Sequence, residues 1–265
     1  MEQISIKDYV KERKEHFKML IEQQNIKPHL VIIKMNDDEA SKAYVRGKVN
    51  DCKEVGIICD VLELPLDTSE NELLKLIDNL NNDENVHGII VQMPIPKHIH
   101  EHTIAEAIRP DKDIDGFHPL SKFRPCTPKG IIDYLKFMNV DFNGKNAVVI
   151  GRSNIVGRPL AKLLLDANTN CVVLHSRTSE EDKKFYIEHA DFIFVAVGKP
   201  NVLTSKYHYK KDCIVVDIGI NRVDGHLYGD CEKDLHVKMQ TPVPGGVGLL
   251  TRLSLLINVY EACHL

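Results

Sequence analysis

The sequence predicts an α/β protein of two lobes, each built on a parallel sheet with helices over its faces. Three observations carry this. Short, continuous apolar runs of strand length alternate with segments of helical period, the pattern of parallel strands buried on both sides. With 265 residues, the chain is long enough for two modest domains at roughly 150 residues each. A polar, proline-bearing stretch from Asp111 to Pro128 breaks the alternation and places a seam near residues 116 to 128.

Taken in order, Ser5 with Asp8 three residues on opens a helix running toward Gln24, and Asn25 to Pro28 ends it. His29 to Met35 is an apolar run of strand length. A helix follows from about Asp38 to Val55, closed by Gly56 as its C-terminal cap. Ile57 to Leu64 reads as a strand. Ser69 and Glu72 form a capping box for a helix that turns Leu73, Leu76, Ile77 and Leu80 inward. Gly88 to Gln92 is another buried strand, and Thr103 with Glu106 marks a short helix stopping before Pro110.

Beyond the seam, the strand Ala147 to Ile150 leads through a loop into a helix ending at Leu165. Strand Cys171 to His175, a helix near Ser179 to His189, and strands Phe192 to Val197 and Cys213 to Ile218 continue the alternation. Asp224-Gly225 is a hairpin turn signal. A last helix runs from about Leu249 to Ala262.

Composition excludes several classes. The 34 basic and 38 acidic side chains leave a net charge of −4, with 43% apolar and 27% charged residues. That is ordinary globular usage, not the strongly basic footprint of a nucleic-acid binder. No run approaches the roughly 20 apolar residues of a membrane span, so no membrane partner is expected. The charged N-terminal segment does not read as a signal or transit peptide. Seven cysteines, with no C-x-x-C pair and no histidines at zinc spacing, predict free thiols in a reducing cytoplasm and no metal.

The chemistry concentrates in a few segments. Val148 to Pro159 is a strand-loop-helix unit with Gly151 directly after the strand and Gly157 opening the helix. Such glycines let backbone amides approach a pyrophosphate at a helix N-terminus; because the unit departs from G-x-G-x-x-G, a plain tight turn is the other reading. The next strand ends in His175-Ser176-Arg177-Thr178, where a dinucleotide fold that uses NAD places a carboxylate for the ribose. A hydroxyl and a guanidinium stand there instead. With Arg152 they suit a 2′-phosphate, which favours NADP; ordinary solvated loop residues are the other reading.

In the first lobe, Ser41, Tyr44 and Lys48 share one helix face, with Val45, Val49 and Cys52 as the adjoining apolar stripe. Gln92 ends a buried strand before the rigid turn Met93-Pro94-Ile95-Pro96. Asp115-Gly116-Phe117 follows the charged run Asp111-Lys112-Asp113. Thr241 to Gly248 sets stiff prolines before permissive glycines, directly ahead of the last helix.

In order along the chain, Ser41 to Lys48, Val91 to Pro96, Asp111 to Pro119, Pro125 to Pro128, Gly151 to Pro159 and Thr241 to Gly248 resemble the bifunctional methylenetetrahydrofolate dehydrogenase/methenyltetrahydrofolate cyclohydrolase (FolD) family. The resemblance implies a three-layer α/β catalytic lobe, residues 1–118 completed by 249–265, and a Rossmann-like NADP-binding lobe, 119–248. It implies folate in the cleft, NADP as cofactor, a homodimer, and a role in one-carbon metabolism. By position, Tyr44 would lie against the pterin and aminobenzoate rings, Lys48 would be the catalytic amine, and Gln92 would hold it. Asp115 would bind the pterin edge, whose two parallel N–H donors a carboxylate can accept together. Pro242, Gly245 and Gly246 would line the folate pocket, and Gly151, Arg152, Ser153, Ser176 and Ile220 would contact the dinucleotide. Two departures adjoin that pocket: the short Leu120 to Arg124 stretch stands where the family has a longer loop, and Gly248-Leu249-Leu250-Thr251 replaces Gly-Pro-Met-Thr.

Overall fold

The computed structural model describes residues 5–265, which divide into two compact units. One comprises Val10–Cys126 with Arg252–Leu265, the other residues 5–9 with Thr127–Thr251. Helices α1 (Ile6–Gln24) and α8 (Val247–Ala262) each contribute to both.

The Val10–Cys126 unit is built on a three-stranded parallel sheet in the order β2-β1-β3: β1 His29–Lys34, β2 Ile58–Glu63 and β3 Gly88–Gln92. Strand alternation sends neighbouring residues of β1 to opposite faces. Leu30 and Ile32 join Val45, Cys52 and Val55 of α2 (Glu39–Val55) and Leu255, Leu256 and Val259 of α8 in one core. Val31 and Ile33 join Leu73 and Ile77 of α3 (Glu70–Asn82) and Ile104 of α4 (Glu101–Ala107) in the other. The result is three layers, helix–sheet–helix. Central β1 and edge strand β3 are buried on both faces, whereas the other edge strand, β2, alternates toward solvent.

Local chemistry sets the ends of these helices. Asp38 caps α2 by accepting the Ser41 N–H at 2.7 Å, and Gly56 closes it at φ 87°, left-handed backbone that glycine adopts without a Cβ penalty. Both bonds of the Ser69–Glu72 capping box on α3 are present. Helix α4 departs from expectation: it begins at Glu101 rather than at the Thr103–Glu106 pair, and the amide of its N-cap, His100, donates to Glu70 Oε2 at 2.6 Å.

The Thr127–Thr251 unit carries a five-stranded parallel sheet in the order β10-β7-β6-β4-β5. Its strands are β4 Asn146–Ile150, β5 Asn170–Leu174, β6 Phe192–Val195, β7 Ile214–Asp217 and the two-residue β10 Met239–Gln240. Helices α6 (Gly157–Asp166) and α7 (Glu180–His189) link the first three. After β4 the chain steps to β5 on one side and then to β6 on the other, so the order reverses at β4. The carboxyl ends of β4 and β6 therefore form the crevice where open α/β sheets bind ligands. Strands β8 (Asn221–Val223) and β9 (His226–Tyr228) form the hairpin, with Asp224 at φ 49° and Gly225 at φ 80°; two positive φ values are what a type I′ turn requires.

Helix α5 (Cys126–Phe137) is absent from the elements the sequence predicts, and only its first three residues fall in the polar Asp111–Pro128 stretch. It starts inside Pro125-Cys126-Thr127-Pro128, which reads as a loop, but Pro128 sits in the first turn, where a missing N–H costs nothing.

Candidate active site

Helix α2 presents Ser41, Tyr44 and Lys48 on one face, as their spacing predicts. Lys48 is 5% exposed, and its Nζ donates to Gln92 Oε1 at 3.1 Å while standing 5.2 Å from the centroid of the Tyr44 ring. Gln92 Nε2 donates to its neighbour's carbonyl, Met93 O, at 2.9 Å, which turns the amide oxygen toward the lysine. The buried amine thus has one neutral acceptor and an aromatic face, with no carboxylate among its hydrogen-bond partners.

Two polar atoms close to this group lack a partner among the described residues. They are the Ser41 hydroxyl, in the first turn of α2, and Asn36 Oδ1, whose amide donates to Pro94 O at 2.9 Å. Buried polar atoms are nearly always satisfied, so orphans at a site point to a ligand or water. Asp115 lies on the tight turn that ends at Gly116, φ 77°, where a Cβ would press on the backbone of Arg124 and Pro125. The turn is braced by Asp113, 2% exposed, which accepts the His118 N–H at 2.8 Å. Burial, reinforced by the Asp115 charge, raises the Asp113 carboxyl above the usual range against that hydrogen bond.

In the other unit the glycine pair shapes the turn between β4 and α6. Gly151, φ 124°, backs onto the Ala196 carbonyl at the end of β6, and Gly157 backs onto the Gly151 carbonyl. A Cβ at either position would collide with that backbone, so the cradle exists only with glycine. Ser153 Oγ accepts the Val156 N–H at 3.2 Å, closing the loop ahead of α6. Arg152 and Ser153 on this loop, and Ser176 and Arg177 after β5, are exposed. Ile155, Val197 and Ile220, on the loops after β4, β6 and β7, are large apolar side chains left open to solvent.

Several supporting residues have no signature in the sequence. Asp230 is fully buried, and its carboxylate accepts four donors: Val197 N at 2.6 Å, Gly198 N at 2.9 Å, Lys199 N at 3.0 Å and Asn221 Nδ2 at 2.9 Å. It pins the loop after β6 and the residue following Ile220. Asp217, at the end of β7, accepts the N–H groups of Asp230 and Cys231. Lys34, 5% exposed, is in register with both Glu63 and Gln92, and its Nζ lies 3.3 Å from Glu63 Oε1.

The structure brings Tyr44, Lys48 and Gln92 together, with Asp115 in the same unit. Gly151, Arg152, Ser153, Ser176, Ile220, Pro242, Gly245 and Gly246 belong to the other. There the Pro242–Gly246 loop follows Thr241, whose Oγ1 accepts the Asp217 N–H at 2.8 Å. Gly245 stands at φ 91°, and a Cβ on Gly246 would collide with the Pro242 carbonyl. Among the described residues, no group of three or more His, Cys, Asp or Glu could hold a metal, and no helix is long and apolar enough to cross a membrane.

Strand order and the glycine turn make the Thr127–Thr251 unit a dinucleotide-binding fold. Joined to a three-layer unit that buries a lysine amine beside an aromatic ring, it places the chain among two-unit, dinucleotide-dependent α/β enzymes. Comparison with known proteins names the family. Residues 4–115 match the tetrahydrofolate dehydrogenase/cyclohydrolase catalytic domain, and residues 125–265 match its NAD(P)-binding domain. The bifunctional protein FolD of Exiguobacterium sibiricum is 45% identical over 255 residues, 91% of each chain. The crystal structure of the bifunctional FolD dehydrogenase/cyclohydrolase from Campylobacter jejuni superposes with a TM-score of 0.92 at 40% identity, over 97% of this chain and 96% of its own. The Trypanosoma brucei dehydrogenase-cyclohydrolase, solved with NADP and an inhibitor, gives 0.89 at 29% identity, over 97% and 94%. This chain belongs to the tetrahydrofolate dehydrogenase/cyclohydrolase family.

Proposed function

We propose that this chain oxidises 5,10-methylenetetrahydrofolate with NADP and hydrolyses the resulting 5,10-methenyl cation to 10-formyltetrahydrofolate. The observation that carries this reading is the buried Lys48 amine held by Gln92 beside the Tyr44 ring. Tyr44 stacks on the folate rings, and Asp115 accepts the paired donors of the pterin edge. The orphan Ser41 hydroxyl is a ready partner for a polar group of the substrate. Gly151, Arg152, Ser153, Ser176 and Ile220 hold the dinucleotide, and the glycine cradle fits a pyrophosphate, since any Cβ would fill it. NADP, when bound, supplies the hydride acceptor. The protein's part in oxidation is alignment, because the folate nitrogen lone pair assists departure of hydride. In hydrolysis, water adds to the bridging carbon, the bond to N5 breaks and one proton leaves; Lys48 is placed to move protons in that sequence.

The assignment of residues 1–118 and 249–265 to a catalytic lobe and 119–248 to an NADP lobe belongs to this proposal, supported by the two compact units. So do a homodimeric state and a cytoplasmic location, which follow from the resemblance and from the free thiols. The test supplies purified protein with 5,10-methylenetetrahydrofolate and NADP. Reduction of NADP followed by appearance of the 10-formyl product is expected, with NAD a poorer oxidant because Arg152 and Ser176 meet the 2′-phosphate. Absence of NADP reduction overturns the reading.

A further inference from the structure

A glycine in the middle of a helix costs about 1 kcal/mol relative to alanine, and Gly47 sits in mid-α2, between Tyr44 and Lys48. Its reason is Arg252 of α8. A Cβ at position 47 would collide with Arg252 Nη1 and stand 3.1 Å from its Cζ, so the bare backbone is what lets the guanidinium lie across the helix. One turn on, Asp51 Oδ2 is 2.8 Å from Arg252 Nε. Asp51 is 5% exposed and pairs through its other oxygen with Lys14, which also reaches Glu54 at 2.8 Å. Two cations and two carboxylates balance, so the arginine is anchored by a neutral network.

The way it is anchored leaves its recognition end open. A structural arginine commonly presents its fork to a carboxylate in a bidentate pair. Here the contact is at Nε, without the N–H aimed at the oxygen, and the terminal Nη groups have no partner among the described residues. Arg252 is 23% exposed at the side chain, so the fork is reachable. The residue it crosses, Gly47, is three positions from Tyr44, and residues three apart are neighbours on a helix surface.

We propose that Arg252 receives a glutamate carboxylate of the folate and is a specificity residue for the anionic end of that substrate. The inference rests on the folate reading above. A guanidinium fork requires two acceptor oxygens in one plane. The pterin edge offers the opposite, a pair of donors, which suits Asp115. The glutamate carboxylates are the folate groups that fit, and they lie at the far end of the molecule from the pterin, past the aminobenzoate ring assigned to Tyr44. NADP phosphates share this anionic chemistry, and the test separates the two.

The experiment measures equilibrium binding of 5-formyltetrahydrofolate and of its α,γ-diamide, in which both tail carboxylates are neutral amides, to the full chain. The wild type should bind the acid roughly 10- to 100-fold more tightly, the range for a charged hydrogen-bonded pair. Arg252→Met should bind acid and diamide alike. Gly47→Ala keeps the charge but displaces the fork, and it should lose the same discrimination even where Arg252→Met folds poorly. Equal binding of acid and diamide by the wild type overturns the proposal. So does an Arg252→Met variant that weakens both ligands by one factor, which is a structural effect, or one that weakens NADP instead. Tight, discriminating folate binding without NADP reduction would overturn the reaction proposed above and leave this role of Arg252 standing.

Discussion

Lys48 and Lys34 are both 5% exposed in one unit, and they differ in what neutralises them. Lys34 stands 3.3 Å from the Glu63 carboxylate, a partner of opposite charge. Among the described residues Lys48 donates to one neutral amide oxygen, which leaves its other N–H groups for a reacting molecule. Replacing Lys48 with Met keeps the length of the stem and removes the amine. Hydrolysis of the methenyl cation should then fall by the roughly 10²- to 10⁴-fold typical of a general acid–base group. Oxidation, which needs alignment, should fall less, and the methenyl compound should accumulate. Following both activities with one folate stock reads this directly; hydrolysis at the wild-type rate would exclude Lys48 as its catalyst.

At the scale of elements, the loop after β6 has its amides bound to a side chain from beyond the β8–β9 hairpin. Each oxygen of Asp230 accepts two donors, Oδ2 from Val197 and Gly198, and Oδ1 from Lys199 and Asn221. Asp230→Asn must turn an NH₂ toward one of these pairs. Each donor left facing it costs roughly 1–3 kcal/mol, so the melting temperature should drop and the KM for NADP should rise more than that for the folate. Unchanged NADP affinity in a destabilised variant would limit Asp230 to stability alone. This strut also shows where the sequence stops being legible. Helix α2, its Asp38 and Gly56 ends, and the shared face of Ser41, Tyr44 and Lys48 follow from spacing, because they depend on neighbours within two turns. The type I′ hairpin at Asp224-Gly225 is legible for the same reason. Lys34, Arg252, and Asp230 in its bonds to the loop after β6, act on partners 29 or more residues away, and no local pattern marks such a partner. Lys48 and Gln92, 44 residues apart, could be joined in advance only through the family resemblance. Two-residue β10 carries no period at all.

At the scale of the whole molecule, all seven cysteines are free thiols, and four of them, Cys171, Cys213, Cys231 and Cys263, make stability depend on pH at the alkaline end. Burial raises the thiols of Cys171 and Cys263 to about 11 and that of Cys213 to about 12. Cys231 is pushed higher still, by burial and then by the Asp217 charge. An unfolded thiol titrates near 9.0. The sign follows from linkage. Below pH 9 these thiols are protonated in both states and contribute no pH dependence. Above it the unfolded chain releases protons that the native protein retains, so stability falls as pH rises, until the folded values are passed. Each raised thiol contributes a slope of about 1.4 kcal/mol per pH unit across its window. Lys14 acts in the same direction: burial opposes its charge, but Asp51 and Glu54 outweigh that and raise its pKa above 10.5, so its stabilisation is complete below that value and lost above it. Thermal unfolding followed from pH 7 to 11 should therefore show a plateau, then a decline that starts near pH 9 and steepens. Cys213 is fully buried against Val215 and its neighbours. Cys213→Ala should lower the plateau through a lost contact, yet flatten the decline by removing one titrating group. A midpoint that stays level between pH 9 and 10.5 would show that the unfolded chain keeps these thiols as protected as the native one does.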